Sequence, residues 1–578
     1  MKLFFTLELC YHVFIFNSLA KRLGVERDMA ETEMGFLKVE AVNFGNTIFD
    51  TNQLSVVRGG SYALKEIVLQ IEKKLIDCKI KGFQSVTLGG STGIFCCDAD
   101  SINQMRSLVE LYLCDQQTIK EQTFTPNNVF SFVITSVVSK DYLQAKEQLY
   151  ALGRHKQAQS FSHALPDFSS SGEQVCPLNG YLLADSENNH IKAAKNSKVS
   201  TSVDLRYQIG HKVRTTIYGE EQATLAAQLS DLGKPQEEKQ TPIEELCFPS
   251  DLETLAGQHH KLALNGKVAV IYIDGNAFGK AQKTHIEQSS NKIEAQQAFD
   301  LQLRSDRAEY LVSLVEFLNQ QGATLQEKNE TMVQLETLLW GGDEMTIVVP
   351  AWIGMATLHH FFEKHNNYQI CGQPLTFSAG IVFASCKTPI RKLEQAAMSL
   401  ADAIKQQSGG RQQSYFDYMI LESIDYPTEP LASFWEKRYK KLAPLRKPLQ
   451  FNLASSYHPD QLSQHLQTLP RSSIYKLVDA ALHHSVADLA EQPPFNKEQR
   501  LEVKGSAQEL PLMLKRLINA GGGELQTAIQ ALSQVLLEKG DEQATTHPLS
   551  DEMTMFWLHM LELYDYLAPS KPMMQEAQ

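Results

Sequence analysis

The stretch LETLLWGGDEMTIVVP, residues 335–350, decides the fold. Two apolar runs flank Gly341 and Gly342, and two acids, Asp343 and Glu344, follow. Tight two-residue turns need positive φ, which glycine adopts freely, so the stretch reads as a hairpin turning on Gly-Gly. Asp343 and Glu344 then take the first two positions after the turn. Burying charge without a partner is costly. Two carboxylates at the tip of a hydrophobic hairpin therefore call for a compensating cation.

Upstream, KVAVIYI (267–273) reads as a buried strand that ends at Asp274 and continues into DGNAFGK (274–280). Residues 299–318 carry Phe299, Leu303, Leu311, Leu314, Val315 and Leu318 on one helical face. Downstream come a strand at LTFSAGIVFA and a helix at PIRKLEQAAMSLADAIKQ. If the strand pairs centrally with the hairpin, Asp274 and Asp343 converge. Neighbours in a strand point to opposite faces, so Asp343 and Glu344 need not both reach one ion.

Converging carboxylates repel unless a cation lies between them. Hard oxygen donors suit Mg²⁺ or Mn²⁺. Two ions about 4 Å apart would activate a hydroxyl and stabilise leaving pyrophosphate, which is phosphoryl-transfer chemistry. The turn from Gly275 through Asn276, Ala277, Phe278 and Gly279 offers backbone N–H groups to a triphosphate, and Lys280, Lys405 and Arg411 offer charge. Taken singly, GGDE and DGN are ordinary turn sequences. Their order along the chain points to a catalytic, metal-binding set of Asp274, Asp343 and Glu344.

A second copy of this pattern precedes the first. VEAVNFGN (39–46) parallels VIYIDGNAFG (270–279), setting Asn43 where Asp274 stands. VTLGGSTGI (86–94) parallels LLWGGDEMT (338–346), setting Ser91 and Thr92 opposite Asp343 and Glu344. The expectation is one working copy and one degenerate copy that holds none of the three carboxylates.

The chain has 578 residues, too many for one core. A net charge of −13 excludes a surface that is basic all over. Nine cysteines without a CxxC pair read as a reduced, intracellular protein, expected in the cytoplasm. The start MKLFFTLELCYHVFIFNSLAKRLG reads as an amphipathic leader, or as sequence before a start at Met29 or Met34, and is marginal for a membrane span.

DGNAFGK followed by WGGDEM resembles the palm domain shared by GGDEF cyclases and the large polymerase-like subunit of type III CRISPR effector complexes. The second likeness is the closer. FGNTIFDTNQLSVVRGGSYAL, FPSDLETLAG and LPRSSIYKL also look familial. The resemblance implies an α+β chain with two ferredoxin-like palm domains. Its expected divisions are a leader (1–33), a degenerate first palm (34–160) and a small insert (161–248). A catalytic second palm (249–425) and a helical C-terminal domain (426–578) follow. It implies synthesis of cyclic oligoadenylates from ATP, with metal ions on Asp274, Asp343 and Glu344, Gly341 and Gly342 in the turn, and Lys405 on phosphates.

Three departures stand out. The family usually reads GGDD where this chain has Glu344, and GGDEF has phenylalanine where it has Met345. No His-Asp dipeptide of an HD nuclease occurs. CPLN (176–179) stands where a zinc ribbon would have CxxC, so neither that nuclease nor structural zinc is expected.

WEKRYKKLAPLRKP (435–448) sets six basic residues among aromatics, readable as an RNA contact or as a solvated helix face. Histidine pairs at 259–260, 359–360 and 483–484 lack metal-ligand spacing. The leading reading is a metal-dependent nucleotidyltransferase acting on ATP or another NTP, with RNA or other effector subunits as partners and no membrane. The alternatives are a non-catalytic nucleotide- or RNA-binding scaffold and a diguanylate cyclase.

Overall fold

A computed structural model describes residues 33–159, 174–188, 190–231, 243, 246–259, 263–327, 330–407, 409–422, 426–451, 471–472, 474–475, 478 and 551–567. The leader and the tail stretches LPLMLKRLI and LQTAIQALSQVLL lie outside the described residues.

The first unit runs β1 (Met34–Val42), α1 (Phe44–Ile48), α2 (Leu54–Asp77), β2 (Gln84–Gly89), β3 (Thr92–Asp98), α3 (Ile102–Cys114), β4 (Ser131–Ser139) and α4 (Tyr142–Gln159). Its sheet order is β2-β3-β1-β4, antiparallel throughout. After α5 (Thr201–Asp231) the second unit repeats the plan. It comprises β5 (Lys267–Asn276), α6 (Phe278–Glu287), α7 (Lys292–Gln320), β6 (Glu336–Gly341), β7 (Glu344–Pro350), α8 (Ala351–Lys364), β8 (Thr376–Ser385) and α9 (Ile390–Gln406). A parallel edge strand, β9 (Tyr415–Ile420), completes the order β6-β7-β5-β8-β9. Both units are βαββαβ, the ferredoxin-like split βαβ. Strand β5 is central and buried along nearly its whole length, which explains its unbroken apolar run.

The copies agree in a detail that chance would not supply. Register slips between Ser85 and Thr87 in one hairpin and between Thr337 and Leu339 in the other. The bulged residues, Val86 and Leu338, lie three before the first glycine of Gly-Gly in each copy.

The region 161–248, read from sequence as a small irregular insert, holds the 31-residue helix α5. Its buried positions Leu205, Ile209, Val213, Ile217 and Leu225 are spaced to pack along both units. Its periodicity was hidden by flanking polar loops. Helix α5 lies against α2 at two glycines: a Cβ on Gly59 would stand 1.8 Å from the Arg206 carbonyl, and one on Gly210 1.8 Å from the Ser55 carbonyl. Cys176 of CPLN is buried, and no disulfide joins the described cysteines.

Each unit braces the other's hairpin with its long helix. Arg58 of α2 forms a buried ion pair with Glu336 of β6, Nε to Oε1 at 2.9 Å. Asp300 of α7 accepts from the Thr87 hydroxyl and, at 3.0 Å, from Leu88 N on β2. One face of the second sheet packs on α7, α8 and the C-terminal helix α11 (Asp551–Leu567), the other on α9 and the first unit.

Much of the basic tract is engaged inside the fold. It begins in α10 (Leu431–Tyr439). Arg446 is buried, 2.6 Å from Asp417 and 3.8 Å from the Trp435 ring centre. Arg438 pairs with Glu562 of α11 at 2.9 Å, and Lys437 with Glu429. Lys440 and Lys447 remain exposed. No described helix is long and apolar enough to cross a membrane.

Candidate functional site

Asp274 sits near the end of β5, directly opposite Glu344 on β7 and opposite Ser378 on β8. Directly opposed residues share a face, so the Asp274 and Glu344 side chains lie together. Tyr272, two residues earlier, is on that face, its hydroxyl 3.4 Å from Asp274 Oδ2. Lys405, from the last turn of α9, forms an ion pair with the same oxygen.

Asp343 is placed differently from the sequence reading. Gly341 pairs with Glu344, so the turn residues are Gly342 and Asp343, and Glu344 opens the returning strand. Gly342 has φ 54°, while Asp343 is not left-handed, the pattern of a type II′ turn with glycine first. The carbonyl of Asp343 accepts from Gly275 N at 3.2 Å. Its side chain overlies Gly275, where a Cβ would stand 3.1 Å from Asp343 Cβ. Gly275 faces away from Asp274, so Asp343 approaches from the opposite side of the sheet.

Burial, followed by repulsion from Asp274 and Glu344, pushes the Asp343 carboxyl up to about 7. Burial and then Asp274 raise Glu344, while Lys405 opposes both shifts. Helix α9 adds two acids that sequence reading missed. Glu394 is buried, and burial with Glu344 pushes it up to about 7. Asp402 also acts on Glu344. A signal for Glu394 was present, since it falls among Ile390, Leu393, Ala397 and Ala401 on the apolar face of α9.

The stretch after Asp274 is a helix N-terminus rather than an open loop. Asn276 is buried and engaged within the sheet, donating to Thr376 Oγ1 at 3.0 Å and accepting from Ser378 Oγ at 2.8 Å. Ala277 is left-handed, φ 55°, and starts α6 without a side-chain cap. Phe278 packs on Phe299 with ring centres 5.3 Å apart, Gly279 faces open space and Lys280 is exposed. The uncapped N–H groups of that first turn can receive an anion. Arg411 donates to the Lys405 carbonyl at 3.3 Å, closing the end of α9.

Register corrects the internal alignment. Glu40 pairs with Thr92 as Asp274 pairs with Glu344. Ala41 N donates to Ser91 O at 2.9 Å, as Gly275 N does to Asp343 O. Asn43 is left-handed, φ 53°, as Ala277 is, and each is followed by Phe-Gly. Asn43 therefore matches Ala277, and Glu40 matches Asp274. The first unit keeps one carboxylate of the three rather than none.

The two hairpin tips meet at glycine: a Cβ on Gly90 would lie 3.6 Å from Gly341 Cα. Beside them a cavity of about 290 Å³ is lined by both tips, including Ser91, Thr92, Asp343 and Glu344, and by Lys146, Gln282 and Gln296.

The oxygen donors and the excess of negative charge around Lys405 fit a hard divalent cation. The three carboxyls do not close on one point, and among the described residues no three His, Cys, Asp or Glu side chains form a ready metal site.

A βαββαβ sheet with acids at its hairpin tip defines a palm domain. Residues 267–414 match the family model described as Cas10/Cmr2, second palm domain, so this segment of the chain is a Cas10-like palm. Among solved structures, Csm1 in T. onnurineus overlays with TM-score 0.47 at 12% identity, covering 95% of this chain and 71% of that one. An apo Csm1-Csm4 cassette gives 0.47 at 11%, covering 94% and 72%. At these values the overlays carry no functional conclusion. No curated protein matches the chain.

Proposed function

We propose that this chain is a nucleotidyltransferase of the Cas10 kind, joining ATP into cyclic oligoadenylates as a subunit of a type III CRISPR effector. The observation that carries the reading is the register that sets Asp274 opposite Glu344 and over the Asp343 turn, within a segment matching the Cas10/Cmr2 second palm. Asp274, Asp343 and Glu344 would hold Mg²⁺ or Mn²⁺. When bound, the metal supplies charge neutralisation at the reacting phosphate and a more acidic attacking hydroxyl.

This chain's own residues do the positioning. The first turn of α6, from Ala277 to Lys280, receives the polyphosphate on backbone N–H groups, aided by the Lys280 ammonium. Lys405 pairs with Asp274 in the free protein and can turn to phosphate when the nucleotide arrives. Phe278 anchors that turn on Phe299, and Gly279 leaves room for close backbone approach. RNA and other effector subunits are the partners that this reading expects.

A scaffold without catalysis is the competing reading, favoured by the Lys405–Asp274 pair, in which a protein cation already serves the first carboxylate. Incubation with each NTP and Mg²⁺ or Mn²⁺, with and without RNA, separates the two. Pyrophosphate and an oligonucleotide from wild type, but not from the Asp343→Asn, Glu344→Gln double variant, support the transferase. Nucleotide binding without product under every condition supports the scaffold.

A further inference from the structure

Lys405 and Asp274 occupy each other in the free site. Their ion pair is sheltered from water, with 13% of the lysine side chain and 12% of the aspartate side chain exposed. The Tyr272 hydroxyl donates to the same oxygen, Asp274 Oδ2, at 3.4 Å. Among the described residues, Asp274 is the side-chain acceptor that the ammonium meets. The same charge acts on the neighbouring acids. Burial and then Asp274 push both Asp343 and Glu344 up, and Lys405 opposes that.

The backbone beneath Lys405 has little freedom. Arg411 Nε donates to its carbonyl at 3.3 Å, and a Cβ on Gly410 would stand 1.9 Å from the Ile404 carbonyl. The chain leaving α9 is thus packed against the end of that helix. Lys405 leaves Asp274 by turning its side chain, while α9 stays in place.

A divalent cation and an ammonium repel one another, so the two do not share one carboxylate oxygen. A cation that takes Asp274 must displace Lys405. The displaced ammonium then lacks a partner in a sheltered place, which is costly. Asp343 and Glu344 give no relief, since they are the other ligands that the cation would use. The uncapped first turn of α6 does give relief. A polyphosphate received there brings oxygens that accept from the Lys405 ammonium.

We propose that Lys405 gates the metal site, keeping free divalent cations from Asp274 until the phosphates of a nucleotide draw the ammonium away. The inference rests on the nucleotide reading above and adds an order to it. Cation and nucleotide are coupled through one side chain, and each raises the affinity for the other by the same factor. The free arrangement, in which the three carboxyls do not close on one point, is the gated state.

Mn²⁺ alone is the probe. Its binding to the full, nucleotide-free chain is read from the electron paramagnetic resonance signal of the free ion. Wild type and Lys405→Arg are expected to bind it weakly. Lys405→Gln and Lys405→Met should bind at least about tenfold more tightly, and adding Asp274→Asn to either should remove the gain. Melting in EDTA and in Mn²⁺ gives a second reading should either variant be less stable: Mn²⁺ should raise its melting temperature further than that of wild type. Three results overturn the gate: equal Mn²⁺ affinity in wild type and Lys405→Gln, a gain that survives Asp274→Asn, and no binding by any variant. Calorimetry of ATP in the presence of Mn²⁺ then separates the two readings. ATP binding to wild type leaves the transferase standing, and its absence overturns the nucleotide reading and the gate together.

Discussion

The two palms share strand order, bulge, turn length, left-handed exit residue and following Phe-Gly, yet they carry opposite charge at the tip. Around the second tip stand Asp274, Asp343, Glu344, Glu394 and Asp402 against Lys405. Around the first stand Lys38, Lys146 and Arg154 against Glu40. Backbone geometry is fixed by pairing and packing, which tolerate any side chain that leaves the ladder intact. Charge at the tip is free of that constraint, because the tip opens on a cavity. A duplicated fold can therefore keep its frame while its two sites diverge in chemistry.

The largest expected effect breaks the comparison at the acidic tip. The Asp343→Asn, Glu344→Gln variant should lower pyrophosphate release about 100-fold or more, read by coupled assay, while its melting temperature does not fall. These half-buried acids repel each other and Asp274, so their neutralisation relieves that repulsion.

Next come the braces. Arg58→Met leaves Glu336 buried and unpaired, and should cost about 3–5 kcal/mol in urea unfolding. Adding Glu336→Leu should recover most of that loss. The opposite brace is weaker: Asp300→Asn loses charge but keeps an acceptor for Thr87 and Leu88 N, and should cost about 1–2 kcal/mol.

Gly210→Ala tests the helix that both palms share. Its Cβ would meet the Ser55 carbonyl at 1.8 Å, so α2 and α5 must separate, at about 1–3 kcal/mol in the same measurement. The smallest effect is at the matched left-handed pair. Ala277→Gly should stabilise by up to about 1 kcal/mol, since an alanine is strained there. Asn43→Gly should change little, because asparagine tolerates that conformation.

The frame was legible in sequence wherever one local pattern fixed one element. The run KVAVIYI, the glycine hairpins and the amphipathic α9 needed no partner to be read. The internal alignment failed by three residues, because apolar alternation fits several registers. An odd slip exchanges the faces of a strand, which hid Glu40 behind Asn43. The dipeptides Phe44-Gly45 and Phe278-Gly279 were the signal for the correct match. Helix α5 was hidden between polar loops, and its burial depends on glycine contacts with α2 that no local pattern records.

The sequence by itself determined the two βαββαβ units and the presence of acids at the second hairpin, because periodicity and turn residues act within a few positions of one another. Only the tertiary structure decided which acids face each other, that Asp343 lies in the turn, that Lys405 meets Asp274, and that Lys146 crosses into the other palm. Those are distances between residues far apart in the chain, set by strand register and by the packing of one palm on the other.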